Sequence, residues 1–443
     1  MRWKELQKQF NSRNLEKEFE LHISTSTGTG VDGMTADRFR QFFPSVLEVI
    51  HSKIGNGSFA FTQYKERLLS KGSKRAPRVI SVPTVRDRVV LRVLNDNIRK
   101  AFSVELVRIL PIDMMVRQIT DVLSAQQFKG CFRTDVENFY PSIQHDILLK
   151  DIRRHIRSPR MIKLIIDAIS TPTTPQGSSR LGDAEVGVPQ GLSISNTLAH
   201  IYMTKLDEKF SRRPDVRYFR YVDDILIFCD DPCRIAKSAE RTVNSLGMQL
   251  NPKKTKILSA TDTLEFIGFQ WKQTSSLVVT VRPSSVRHLE ASLARLFTDF
   301  KNGKFTLPVL VSKVNLRITG CVSEGKKYGW LFYFSQINDV KLLYHLDWIV
   351  TEFASARRIQ GVQFKRFVRA YHEIRYNTSL IRRWNSYIPK YDIDVSIAEL
   401  TSFIEAFGGP DTSSMTAADI KTLYKSMRTR ELNTLEKDLQ PFS

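Results

Sequence analysis

The sequence predicts an α+β protein built round an antiparallel sheet and continued by a long helical region. Three observations predict it. Two apolar, aromatic-rich runs flank an acidic pair in YFRYVDDILIF (218–228), as in a hairpin. Between residues 71 and 271 short strand-like runs alternate with helical periods. Beyond about residue 285 the strand signals fade, and 285–300, 307–320 and 336–383 carry mostly helical periodicity.

Taken in order, residues 1–20 read as an exposed helix. The polar STSTGTGVDGMTADRF (24–39) reads as a loop, and 36–70 as helical. Residues 71–102 begin as a basic loop and pass through a strand, Arg78–Val82. After Pro83 they become an amphipathic helix, with Val89, Val90, Val93, Leu94 and Ile98 on its apolar face. CFRTDVENFY (131–140) begins as a strand, and Pro141 starts a helix to about 155. GVPQGL (187–192) is a Gly/Pro loop before a helix over 193–210. Residues 233–247 form a helix closed by Gly247, and MQLNPKKTKIL and LEFIGFQW supply two further strands. AFGGPDTSS (406–414) reads as a linker. TAAD (416–419) then opens a charged helix to about 439 with a capping box.

At 443 residues the chain has room for two or three domains, and 42% hydrophobic residues is ordinary for a globular protein. Its charge is not ordinary: 67 Lys and Arg against 46 acids give +21. Such an excess points to a polyanionic partner, nucleic acid first and a membrane surface second. No apolar run is long enough to span a bilayer. MRWKELQKQFNSRNLEKEFE has no apolar signal core, so a soluble, cytoplasmic protein is expected. Cys131, Cys229, Cys233 and Cys321 form no CxxC pair, which argues against zinc and for reduced thiols.

Asp223 and Asp224 admit two readings. Aspartate is common in tight turns because its carboxylate bonds nearby backbone amides. The other reading is a metal site at the hairpin tip, which needs a third carboxylate. Asp135 offers one. It follows strand residues CFRT and precedes a helix, where alone it reads as an N-cap. Placed beside the hairpin in one sheet, it can face Asp223. Two metal ions share carboxylates and stabilise both the attacking and the leaving oxygen of an in-line phosphoryl displacement. Mg²⁺ suits such a site because it takes few protein carboxylates and completes its shell with water and phosphate.

TDVENFYPSI (134–143), GVPQGLSISNTLA (187–199), YVDD (221–224), LNPKKTKI (250–257) and LEFIGF (264–269) occur in this order. They resemble the successive palm motifs of reverse transcriptases. RAPRVISVPTVRDRVV (75–90) resembles the fingers motifs of the bacterial branch, which holds group II intron, retron and phage-defence enzymes. GVDGMT (30–35) resembles the segment before those motifs in group II enzymes. The resemblance covers residues 28–271. It implies a right-hand polymerase with fingers, an antiparallel palm and a helical thumb. The implied segments are an N-terminal helical extension (1–27), fingers with part of the palm (28–130), palm (131–275), thumb (276–405), and a linker with a C-terminal helix (406–443).

The resemblance also implies roles. Asp135, Asp223 and Asp224 match the catalytic carboxylates, with Asp224 more peripheral and the Val136 carbonyl a further metal contact. The implied cofactor is two Mg²⁺, with Mn²⁺ as a substitute. Tyr140 matches the aromatic gate beneath the sugar, which excludes a ribose 2′-OH; alone it reads as a core aromatic beside Phe139. Gln190 and Gly191 match the loop that meets template and nucleotide. Arg78 matches the arginine over the triphosphate, and Lys74 and Arg75 add charge there. Lys254 matches the lysine approaching the pyrophosphate. LEFIGFQW resembles the primer grip, though Phe266, Ile267 and Phe269 read equally as core.

Residues 354–384 hold eight Lys or Arg and one acid, Glu373. Arg358, Lys365 and Arg369 are expected on one helical face, a stripe that can follow a phosphate backbone. Nuclease, zinc-finger and RNase H motifs are not found. What remains resembles free-standing bacterial enzymes of phage defence, including the abortive-infection type. The implied activity is RNA-directed DNA synthesis, with an RNA template such as a cognate non-coding RNA, a DNA primer and dNTPs. Other implied partners are a second copy of the chain or an accessory defence protein, and no membrane. Untemplated or protein-primed synthesis by the same site, and intron-RNA binding of the maturase kind, are the alternatives.

Overall fold

The structure is a computed structural model that describes residues 8–24, 26, 28–70, 76–103, 110–178, 182–376, 387–392 and 394–439. The helices and strands, in chain order, begin with α1 (Ser12–His22), α2 (Ala36–Gln41), α3 (Phe43–Asn56), β1 (Tyr64–Leu69), β2 (Arg78–Val82) and α4 (Val85–Ala101). Next come α5 (Ile112–Ser124), β3 (Gly130–Asp135), α6 (His145–His155), α7 (Pro159–Ser170), β4 (Thr173–Thr174) and α8 (Ser195–Ser211). They continue with β5 (Val216–Tyr221), β6 (Asp224–Cys229), α9 (Pro232–Asn244), β7 (Lys256–Ser259), β8 (Leu264–Phe266), β9 (Phe269–Gln273) and β10 (Leu277–Val281). The C-terminal elements are α10 (Pro283–Lys301), α11 (Leu307–Thr319), β11 (Cys321–Ser323), β12 (Lys326–Tyr328), α12 (Trp330–Tyr333), α13 (Val340–Ser355), α14 (Phe367–Tyr376), α15 (Ile397–Ala406) and α16 (Ala417–Lys437). This is the expected α+β order, with antiparallel sheets before a helical region.

The compact divisions number two where five segments were expected. One unit spans residues 1–110 and 128–260, the other 111–127 and 261–443. Helix α1 is not a separate extension: Leu15 and Phe19 are buried in the core of the first unit. The break at 406–414 joins two helices, α15 and α16, that pack on each other around Phe403, Ile404 and Tyr424.

In the first unit the sheet order is β5-β6-β3-β7. Strand β3 is its centre, antiparallel to β6 through Thr134↔Ile225 and Asp135↔Asp224 and to β7 through Arg133↔Lys256. Side chains alternate across a strand. Phe132, Ile225 and Ile227 therefore share one face, packed into the main core with Leu206 and Phe210 of α8 and Ala239 and Val243 of α9. Asp135 and Asp224 fall on the opposite face. Gly130 opens β3 where a Cβ would lie 2.4 Å from the Leu258 carbonyl oxygen of β7. Gly130→Ala must push the two strands apart. We expect it to lower unfolding free energy by about 2 kcal/mol, read from the urea midpoint.

Two sequence expectations are corrected. The helix expected over 36–70 ends at Asn56, where Gly57 takes φ +77°. Residues 64–69 are instead a strand, paired antiparallel with β2 from Lys65↔Val82 to Leu69↔Arg78. Helix α6 begins at His145 rather than at Pro141, because Tyr140–Ser142 form a single 3₁₀ turn.

In the second unit β8, β9 and β10 form an antiparallel sheet. Trp271 of β9 is buried, and its indole N–H donates to Thr120 Oγ1 of α5 at 2.9 Å. A small hairpin, β11–β12, interrupts the helices. Buried Arg317 ties α11 to Asp438 at 2.6 Å. No helix among the described residues is long and apolar enough to cross a membrane. None of the four cysteines forms a disulfide among the described residues, and burial pushes the Cys229 thiol up to about 11.

Candidate active site

Strands β5 and β6 pair up to Tyr221↔Asp224, so Val222 and Asp223 alone make the turn. Val222 has φ +56°. Two-residue hairpin turns require a positive φ at their first position, and for a β-branched residue this is a rare, strained conformation. The neighbouring chain holds it there. Arg220 Nη1 donates to the Val222 carbonyl at 2.8 Å. The same guanidinium donates to Asp207 of α8 at 2.5 and 2.7 Å, and Tyr218 donates its hydroxyl to that carboxylate at 2.7 Å. Burial alone would lower the basicity of Arg220, but Asp207 more than offsets it, so the guanidinium stays charged. Burial and the Arg220 charge hold His200, next to this network, at about 4 and therefore neutral. Sequence reading missed these residues. The signal was an arginine at a core-facing position of a strand.

Asp135 ends β3 directly across from Asp224. The Val136 amide donates to the Asp223 carbonyl at 3.3 Å, and the Asn251 amide to the Asp135 carbonyl at 2.8 Å. The two acidic loops are thus laced together by backbone bonds. Burial, then the negative charges of Asp135 and Asp224, raise the Asp223 carboxyl to about 6. Asp135 acts on it more strongly than its chain neighbour Asp224 does. The Lys254 ammonium makes a close ion pair with Asp135 Oδ2, and a 2.7 Å bond between the Thr134 and Thr255 hydroxyls braces the two loops. Lys254, expected near pyrophosphate, rests on the Asp135 carboxylate.

Among the described residues no three His, Cys, Asp or Glu side chains close round a common ion position. Asp224 nonetheless lies opposite Asp135 in the ladder, and both carboxylates act on Asp223. The chemistry of Asp135 and Asp223 fits a hard divalent cation, since the Asp135 charge raises the Asp223 carboxyl and Asp135 itself already holds the Lys254 cation.

Beside the pair stands a half-buried Tyr140. Burial, then the charge of Asp223, raise its phenol above the ordinary range, while the Arg78 guanidinium opposes the shift. Tyr140 thus lies within electrostatic reach of both. Its ring meets Phe139 at 5.3 Å, edge to face. Arg78 is exposed on β2. The Gln190 carbonyl accepts from the Ser81 amide of the same strand at 2.7 Å. Gly191 has φ +105°, and a Cβ there would lie 2.8 Å from Ile80 and 2.9 Å from the Ser81 carbonyl oxygen. Only glycine allows the 187–192 loop to lie on β2 this way. Lys74 and Arg75 lie outside the described residues.

In the second unit LEFIGFQW is, as expected, a hairpin, β8–β9, with Ile267 at φ +45° and Gly268 at +86°. Phe266, Ile267 and Phe269 are all buried, and Phe269 meets Phe334 at 4.9 Å, so these side chains are core. Arg358, Lys365 and Arg369 do not share a helix face. Arg358 follows the end of α13 at φ +54°, Gly361 breaks the chain at φ +73°, and only Arg369 lies on α14. Lys365 donates to the Tyr387 carbonyl at 2.7 Å, and Arg369 stacks over the Tyr387 ring at 4.5 Å.

Comparison with known proteins fits this geometry. Residues 69–271, less than half of the chain, match the family described as "Reverse transcriptase (RNA-dependent DNA polymerase)". Protein YkfC of Escherichia coli is 23% identical over 60% of this chain and 83% of its own length. The putative COX1/OXI3 intron 1 protein of Saccharomyces cerevisiae is 21% identical over 60% of this chain, which spans only 40% of that protein. Among solved structures, telomerase from Candida albicans with a telomeric RNA fragment aligns over 91% of this chain and 65% of its own. Its identity is 12% and its TM-score 0.42.

Proposed function

From the premise that residues 69–271 of this chain are a reverse-transcriptase domain, that of an RNA-dependent DNA polymerase, we propose that the protein extends a DNA primer along an RNA template at Asp135 and Asp223. The observation that carries this reading is that the Asp223 charge acts on the Tyr140 phenol while Asp135, ending the strand that pairs with the Asp223 hairpin, acts on Asp223. Acid pair and sugar gate thus belong to one site.

Asp135 and Asp223, with the Val136 carbonyl and Asp224 at the margin, are the groups to hold two Mg²⁺. When bound, these ions would lower the charge on the attacking and leaving oxygens. The chain's own residues do the rest. The primer 3′-oxygen forms a bond to the α-phosphorus as the bond to pyrophosphate breaks, and the 3′-hydroxyl proton passes to solvent water. The Tyr140 ring supports the deoxyribose. Arg78 lays its fork on the triphosphate, and Gln190 and Gly191 line the nucleotide's edge. Lys254 would donate a proton to the leaving pyrophosphate, and a metal held at Asp135 would compete with it for that carboxylate.

Lys254 should therefore compete with metal yet assist turnover. Lys254→Met is expected to bind Mn²⁺ about 2–5-fold more tightly in calorimetry while kcat falls roughly 10–100-fold. Equal losses in both would contradict the competition.

The proposed setting is phage defence by a free-standing bacterial enzyme copying a dedicated non-coding RNA. The fingers resemblance of residues 75–90 to the bacterial branch supports it. The test is to purify the protein from its host and sequence the nucleic acid that comes with it. One RNA with complementary DNA is expected. Homopolymeric DNA joined to protein would reject templated copying. An intron RNA without DNA would reject synthesis altogether.

A further inference from the structure

The excess of positive charge is not spent at the catalytic pair. A second concentration of it lies in the first unit, in a hollow of about 720 Å³ between α8 and α9. Lys205 and Lys209 stand one helical turn apart on α8, and Arg212 follows the helix end. Arg241 faces them from α9, beside the Thr242 and Ser245 hydroxyls. Glu208 is the single carboxylate in the lining, and it pairs with Arg212 at 3.2 Å. All four cations are exposed. Outside the lining, Asp151 of α6 pairs with Arg154 at 3.3 Å and lies within electrostatic reach of Lys205, and Asp215 pairs with Arg213 at 2.5 Å.

The cations are in place before any ligand arrives. Lys209 donates to Thr242 Oγ1 at 2.6 Å and Lys205 to Ser245 Oγ at 3.0 Å. Burial, then Arg241, Arg213 and Lys205, lower the basicity of Lys209. Lys205, Lys209 and Arg241 therefore crowd one another, while Arg212 alone has a carboxylate partner within the lining. An anion that bridges them removes that repulsion.

The lining excludes other ligand classes. It contains no apolar or aromatic side chain. Protein partners anchor on buried aromatic or aliphatic groups, and small organic ligands need apolar walls. Nucleobases need a ring or a flat guanidinium stack on aromatic support. A phosphodiester backbone needs only cations and hydroxyls at a spacing it can bridge.

We propose that the α8–α9 hollow holds the phosphate backbone of a second RNA segment, one that is not being copied. Helices α8 and α9 cover the core-facing side of the sheet, whereas Asp135 and Asp224 lie on its other face. A short primer–template seated at the aspartates leaves the hollow free. A longer, folded RNA can occupy both and be held while its copied end moves. The inference rests on the reading that the chain binds RNA as template, and it adds where the rest of that RNA is held.

The test uses the full chain and two probes, a long folded RNA and a short RNA–DNA primer–template. The double variant R212Q/R241Q removes exposed cations only, and K205Q/K209Q is its partner should either lower the melting temperature. Each is expected to bind the long RNA about 10-fold more weakly and to reduce the slope of log affinity against log salt by about 2. Extension of the short primer–template should keep its kcat and KM. Unchanged affinity and slope would overturn the proposal. So would polyglutamate competing as strongly as RNA, which would assign the hollow to an acidic protein. If the wild type binds long RNA through the hollow but extends no primer, the polymerase reading fails and the site stands. If it extends primers while the variants bind RNA normally, the site alone fails.

Discussion

Asp223→Asn is expected to abolish primer extension, by a factor of at least about 10³, and to raise the melting temperature of the metal-free protein at pH 8. The first effect follows from removing a carboxylate that lies within electrostatic reach of Asp135. The second follows from the charge crowding. The folded-state carboxyl is raised to about 6 from an ordinary 3.8, by burial first and then by Asp135 and Asp224. A raised acid binds more protons in the folded state than in the unfolded one. Stability therefore falls as pH climbs from about 4 to about 6, and the full penalty persists above that. Two units correspond to about 3 kcal/mol at most. Asp223 is partly open to solvent, so about 1–2 kcal/mol is the expected relief, or roughly 2–8 °C. Calorimetry with EDTA at pH 5 and pH 8 checks it. The variant should gain on the wild type between the two pH values. Adding Mg²⁺ should then stabilise the wild type and not the variant. An equal melting difference at both pH values would show that the pair is not strained.

Tyr140→Ala is expected to cost the enzyme its preference for deoxynucleotides by about 10²–10³-fold in the ratio of kcat/KM for dCTP over CTP. The ring lies beside Asp223 and is held edge to face by Phe139 at 5.3 Å. It cannot swing away from a 2′-hydroxyl without leaving that contact. Exclusion by a fixed obstacle rather than by a hydrogen bond makes a second outcome testable. Tyr140→Phe keeps the ring and should keep the preference. If Ala and Phe variants discriminate alike, the gate lies elsewhere.

Much of this site was legible in the sequence, because the chemistry is concentrated in short stretches whose spacing survives folding. Asp135 and the Asp223 hairpin were found that way, and the structure pairs them across β3 and β6. Strand Arg78–Val82 was read to the residue, since Pro83 marks its end. The Thr416 capping box was read correctly because both of its partners lie within one turn. What failed needed partners far along the chain. Tyr64–Leu69 carries good helix formers, Lys, Glu, Arg and Leu, and becomes a strand only because β2 pairs with it. Arg220 looked like one more cation until Asp207 of another element explained its burial. The basic stripe of Arg358, Lys365 and Arg369 assumed an unbroken helix, and a single residue at φ +54° undoes the periodicity on which it rested. The Lys254–Asp135 pair was likewise invisible, since its partners are 119 positions apart.

The turn at Val222 has a consequence for timing. Holding a β-branched residue at φ +56° costs on the order of 1–3 kcal/mol, offset by the Arg220–Asp207 clamp below it. That cost is met once, as the chain folds, and not again in each round of nucleotide addition. The carboxylate arrives already aimed, so the barrier at each step need not include finding its direction. A polymerase that repeats the same bond formation along an entire template gains from this at every nucleotide. The strain is thus an investment in repetition: a small permanent loss of stability exchanged for a geometry that never has to be rebuilt.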